Sequence, residues 1–109
     1  MRRLAIADCR RAAQVYFKVP RAEILGRSQE HCIAHPRQVA IALARELVGS
    51  SWKQIAGVFD RDHSTAVHGA AAVRDRCERS LGYAMTYEAL RLPLAVYAAQ
   101  LAIWEDEGR

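Results

Sequence analysis

The 109 residues hold only six glycines, and they stand apart at 26, 49, 57, 69, 82 and 108. Neither the phosphate-cradling GxxxxGK followed by Ser or Thr nor the dinucleotide fingerprint GxGxxG can be built from them. No nucleotide partner and no cofactor is expected on these grounds. No apolar run approaches the ~20 residues of a membrane helix, so no membrane association is expected. Strand signals are scarce too, with no sustained alternation and no Asn-Gly or Asp-Gly hairpin turn. The three cysteines, Cys9, Cys32 and Cys77, are odd in number and form no CxxC. They read as free thiols on helices in a reducing, cytoplasmic setting. Met1-Arg2-Arg3 followed by Leu4-Ala5-Ile6-Ala7 imitates a signal peptide. Asp8, Arg10 and Arg11 cut the apolar run after four residues, too short for an export core.

What is present is a basic body and a mildly acidic tail. Residues 1–80 carry 14 Lys/Arg against 8 Asp/Glu, a surplus of six, whereas 81–109 carry 2 against 4. With 51% apolar and 26% charged residues the chain is a folding one of single-domain size. A positive face raises the prior for nucleic acid, because phosphate contacts release counterions. A solvated basic surface with no ligand is the plainer alternative.

Helical spacing recurs along the chain and predicts an all-α fold. Ile6, Cys9, Ala13 and Tyr16 share one face of a first helix, which Pro20 ends. Ala22 to Leu25 make one turn, stopped near Gly26. Residues 27–35 read as a polar loop, and Pro36 opens a strong helix with a stripe of Val39/Ala40, Leu43 and Leu47. Gly49 closes it, and Ser50 or Ser51 caps a short helix carrying Trp52, Ile55 and Phe59 inward. After an Asp60-Arg61 turn, Asp62 or Ser64 caps a longer helix to about Ser80, with Val67, Ala70/Ala71, Val73/Arg74 and Cys77 inward. Gly82 breaks it.

The middle is thus a helix-turn-helix candidate whose second helix would offer its first turn to the major groove. Asp62 can accept from a cytosine amino group. His63, Ser64 and Thr65 can exchange hydrogen bonds with base edges, and the Thr65 methyl can meet a thymine methyl. A plain polar helix cap explains the same four residues about as well. Cys32, His35, His63 and His68 suggest a metal. However, His63 and His68 lie about 140° apart around a helix, and solvent- or DNA-facing histidines are expected instead. Adjacent Asp62-His63-Ser64 cannot form a hydrolase relay, since neighbouring helical side chains fan apart, so no catalytic residue is expected.

Four pieces of the sequence carry a family resemblance. His35-Pro36-Arg37-Gln38-Val39-Ala40-Ile41-Ala42-Leu43-Ala44-Arg45-Glu46-Leu47 is followed by Ser51-Trp52-Lys53-Gln54-Ile55, by Phe59, and by Arg61-Asp62-His63-Ser64-Thr65-Ala66-Val67-His68. Together they resemble the C-terminal DNA-binding domain of the bacterial replication initiator DnaA, over roughly residues 4–80. The resemblance implies a Trp-repressor-like helix-turn-helix in which Asp62, His63, Ser64 and Thr65 read bases, with His68 a neighbour. It implies phosphate contacts at Arg37, Arg45, Lys53, Gln54 and Arg61. The family's basic loop carries two arginines spaced by one residue, one of which enters the minor groove, and here Gln29 and His31 stand at those positions, marking a minor-groove loop. The expected protein is a stand-alone, non-enzymatic binder of double-stranded DNA, regulating replication or transcription without an ATPase domain. An interaction adaptor that keeps the fold but binds DNA weakly is the alternative.

The tail adds a stripe: Tyr83, Tyr87, Leu90, Leu94, Tyr97, Leu101 and Trp104 step 4, 3, 4, 3, 4, 3. Two roles are open to it, packing on the domain's own core or pairing with a second copy or another protein. Pro93 predicts a break near 91–92, with the last helix beginning at the proline. Tyr16, Trp52, Phe59 and Trp104 are expected to anchor the core or an interface. The chain therefore divides into a helix-turn-helix domain, 1–80, and a helical extension, 81–109.

Overall fold

Six consecutive residues, Val39 to Ala44, are buried, and the rest of the fold wraps around them. The run is apolar on every side, which is the pattern of a helix enclosed by others. The computed structural model describes residues 3–107, so the signal-like Met1-Arg2 and the terminal Gly108-Arg109 lie outside the described residues. Those residues form α1 (Ile6–Phe17), α2 (Arg21–Ile24), α3 (His31–Leu43), α4 (Trp52–Val58), α5 (His63–Arg79) and α6 (Leu81–Glu107), with no strand among them. The all-α class is therefore as expected.

In α1, the Asp8 carboxylate accepts from the Ala5 N–H at 2.8 Å and holds the first turn. Cys9 and Ala13 face the core, fully buried. Burial, and then the neighbouring Asp8 charge, push the Cys9 thiol up to about 12, so it is inert as a nucleophile. Tyr16 does not share that face: it is exposed, and Phe17 packs inward in its place. The helix stops at Lys18 in the left-handed conformation (φ 57°), two residues before Pro20, which instead precedes the single turn of α2.

Helix α3 begins at His31, five residues before the expected start, and carries Pro36 in its interior. Two features make that tolerable. Glu30 starts the helix by accepting from the Ile33 and Ala34 N–H groups. The proline removes only the bond to the carbonyl of Cys32, an exposed residue that water can reach. At its other end α3 loosens into a π turn, Ala44–Val48, closed by Gly49 in the left-handed region (φ 72°). There the Gly49 N–H reaches back to the Ala44 carbonyl at 3.3 Å.

Helix α5 lies against α3 through Ala66, Gly69, Ala70 and Val73. Gly69 matters because a Cβ there would come within 3.2 Å of the Gln38 side chain. The expected inward Ala71 and Arg74 are exposed, and Val67 is half-buried. α5 ends at Ser80, whose hydroxyl also accepts from the Tyr83 N–H at 3.2 Å and so starts α6. The break thus falls at Ser80 and not at Gly82.

Helix α6 runs unbroken through Pro93, against the expected break. The carbonyl that Pro93 leaves without a donor is that of Ala89, on an exposed side where water serves it. Leu90, Leu94 and Leu101 are buried, and Tyr83, Tyr87 and Tyr97 pack on the core. Most of the stripe thus lies against the domain's own core. Trp104 is the exception, being exposed. Tyr83 meets His35 of α3 at 2.6 Å. Tyr87 donates to Glu46 on the π turn at 3.1 Å, and Arg91 approaches Glu46 at 3.5 Å while clasping Glu88.

Two outcomes follow from these contacts. Gly49→Ala should cost about 1–2 kcal/mol in urea unfolding, because a Cβ is strained in the left-handed region, and Gly49→Asn should cost less. His35 is held below its ordinary value by burial first, then by Arg76 and His31. Its neutral form is therefore favoured by folding. That contribution is complete above the ordinary value of about 6.5 and is lost as pH falls below it toward the depressed native value. Melting temperature should fall from pH 7 to 5, and His35→Gln should flatten the slope.

Candidate nucleic-acid interface

The turn between α4 and α5 is held from both sides. Ser51 and Gln54 form a reciprocal cap at the start of α4: the Gln54 N–H donates to the Ser51 hydroxyl and the Ser51 N–H to the Gln54 side chain, both at 3.1 Å. Ser51, not Ser50, is the cap. At the other end Phe59 is fully buried. Asp60 then takes the left-handed conformation (φ 50°), which turns the chain sharply into α5. Arg61 donates to the carbonyls of Phe59, Asp60 and Gly26, and Arg27 pairs with Asp60 at 3.2 Å. Both contacts fasten the turn to the loop between α2 and α3.

On that support sits the start of α5. Asp62 occupies the cap position with extended backbone (ψ 151°), yet its carboxylate accepts no capping hydrogen bond. Asp62, His63, Ser64, Thr65 and His68 are all exposed. Asp62, His63, Ser64, Val67 and His68 line one open concavity. The side chains that could have been consumed as a helix cap are therefore available to a ligand. The backbone donors at the helix start face the same way as the cap, where anions are favoured.

The expected phosphate contacts divide. Arg45 is exposed on the π turn, donates to the Ser50 carbonyl at 3.0 Å and lies 4.6 Å from the Trp52 ring centre. Lys53 and Gln54 are exposed on the first turn of α4. Arg61 is half-buried, with its donors turned to the loop carbonyls. Arg37 is a correction. It is buried and gives hydrogen bonds to the carbonyls of Ile24 (2.7 Å), Ser28 (3.0 Å), Glu23 and Gly26 (both 3.1 Å). No phosphate can reach a guanidinium enclosed in this way. Burial, and then Arg61, lower its basicity.

Gln29 is exposed in the loop. His31 is exposed on the first turn of α3, not in a loop, and its ring stacks on His35 at 5.2 Å. The sequence reading missed Arg27 and Val67. Arg27 brings a charge from the loop to the turn through Asp60, a contact 33 positions apart in the chain that no local pattern reveals. Spacing along α5 places Val67 inward, but it is half-buried and lines the concavity. No group of three or more His, Cys, Asp or Glu that could hold a metal occurs among the described residues. No described helix is long and apolar enough to cross a membrane.

A short helix with one buried side, a tight turn and a longer helix with an exposed polar start define a helix-turn-helix. The profile of the family described as "Bacterial dnaA protein helix-turn-helix" matches residues 6–73, and the chain belongs to that family. It carries the DnaA type of helix-turn-helix DNA-binding domain. It is 38% identical over 74 residues to the chromosomal replication initiator protein DnaA of Acinetobacter baylyi, 67% of this chain and 16% of that one. It is equally similar to the protein of the same name from Acinetobacter baumannii, 38% over 73 residues, 66% of this chain and 16% of the other. The chain thus spans about a sixth of the length of these relatives.

The reassignment of Arg37 is open to test. Arg37→Lys should destabilise the domain by several kcal/mol, because one ammonium cannot replace a planar fork that reaches four carbonyls. The loss should show in urea unfolding without DNA. A phosphate-binding Arg37 would instead leave stability unchanged and lower only DNA affinity.

Proposed function

We propose that the chain binds double-stranded DNA at specific sites through the first turn of α5. In this reading it regulates replication initiation or transcription by occupying those sites, without catalysis of its own, in the cytoplasm where the nucleoid lies. The observation that carries the reading is the exposed Asp62-His63-Ser64-Thr65 turn, whose one acidic cap residue is not spent on capping. Asp62, His63, Ser64 and Thr65 read bases, and Val67 offers an apolar contact to a thymine methyl. Arg45 and Lys53 hold phosphates, with Gln54 and Arg61 beside them. Gln29 and His31 lie toward the minor groove, where they supply hydrogen bonds with less electrostatic pull than arginine. Arg27 adds positive charge near the turn. Both relatives from Acinetobacter are chromosomal replication initiator proteins by name, which supports the replication side of the reading.

Selection from a random duplex pool at moderate salt should enrich one motif. His63→Ala or Thr65→Ala should then lose about 1–3 kcal/mol at a single base position. Lys53→Ala should weaken selected and random DNA alike and reduce the salt slope by about one. Equal effects of all three variants on selected and random DNA would refute the base-reading assignment. The Gln29/His31 loop, poor in charge, favours one second reading: an interaction module with weak DNA binding. Absence of any enriched motif would support that reading.

A further inference from the structure

With one side of α6 covering the core, its opposite side faces solvent and is apolar along its length. Leu81, Met85, Leu92, Val96 and Ile103 are between 49% and 78% exposed. At 100° per residue these five, with Ala99, fall within roughly 60° of arc. Leu90, Leu94 and Leu101 lie on the far side of the helix. Among the described side chains, the one charged residue bordering the stripe, Glu88, is occupied by Arg91. Isolated exposed leucines are ordinary, but an apolar band over six turns, bordered at its middle by the Glu88–Arg91 pair, marks an interaction surface.

We propose that this outward face of α6 pairs with the same face of a second copy, antiparallel, about a two-fold axis through Leu92. The spacing is its own mirror image. Leu81 and Ile103 each lie eleven positions from Leu92, Met85 and Ala99 each seven, Glu88 and Val96 each four. An isologous pair requires that kind of self-complementarity, in which each contact between two positions occurs twice. Met85 then lies opposite the small Ala99 of the second copy, and Leu81 opposite its Ile103. Packing and charge favour the antiparallel sense. Parallel pairing would set Met85 against Met85 and Glu88 against Glu88, whereas antiparallel pairing sets Met85 against the small Ala99 and keeps the two Glu88 carboxylates apart. The exposed side chains of the face offer on the order of 600 Å² per chain, toward the lower end of specific interfaces, so the pair is a weak one. This inference rests on the apolar face alone and is independent of DNA recognition.

Sedimentation equilibrium without DNA, from micromolar to hundreds of micromolar protein, should report twice the 12.2 kDa chain mass. Leu92→Glu should weaken pairing roughly 100-fold or more while leaving the helical circular dichroism unchanged, since the site is already half exposed. In a Cys32→Ser background, oxidation should cross-link L92C to itself, and L81C to I103C only when the two variants are mixed. A chain monomeric throughout that range would overturn the proposal. So would an L81C variant that cross-links to itself in preference to I103C, because that is the parallel arrangement.

Discussion

One guanidinium organises the part of the molecule on which the DNA-facing turn rests. A single-turn helix followed by a short loop leaves carbonyls without donors, and burying them unmet is costly. Arg37 projects from the central helix and meets four of them, at Glu23, Ile24, Gly26 and Ser28. The Gly26 carbonyl is shared with Arg61, which belongs to the turn before α5. A hydrogen-bonded path therefore runs from the centre of the fold, through the loop, to the residue adjoining Asp62. The position of the exposed turn is set by this path together with the turn's own Asp60 and Arg61.

Much of this was legible in the amino-acid order. Trp52, Ile55 and Phe59 step at helical intervals, Ser51 precedes them, and Gly49 marks the end of the preceding helix. The structure contains each of these features. Local signals served well wherever periodicity, caps and breakers agreed. They served poorly where burial overrode a local rule. Pro36 reads as a helix start, but Ile33 on the turn before it is buried, and the core rewards extending the helix backward. Pro93 reads as a break, yet Leu90 and Leu94 on either side of it both reach the core, and only a continuous helix puts both there.

Site chemistry divided the same way. That Asp62, His63, Ser64 and Thr65 begin a helix could be read from their spacing after Phe59. That their side chains escape the capping role could not, since a cap and an exposed recognition turn share the same residue types. Arginine identity was the least informative signal. Nothing in their local sequences sorts Arg37, Arg45 and Arg61 into interior and surface. In three dimensions one is interior, one lies over an indole ring and one braces a turn. What distinguishes them is the distant carbonyls they find, a long-range fact.

Ser80 has a geometric consequence of its own. It finishes one helix with its backbone and begins the next with its hydroxyl, so the joint between α5 and α6 has no slack. A single residue inserted there would rotate everything downstream by about 100°, swinging Leu90, Leu94 and Leu101 off the core and carrying other residues of α6 toward it. The joint thus acts as a phase setter: its length alone decides which side of a helix rich in apolar residues becomes interior and which stays in water.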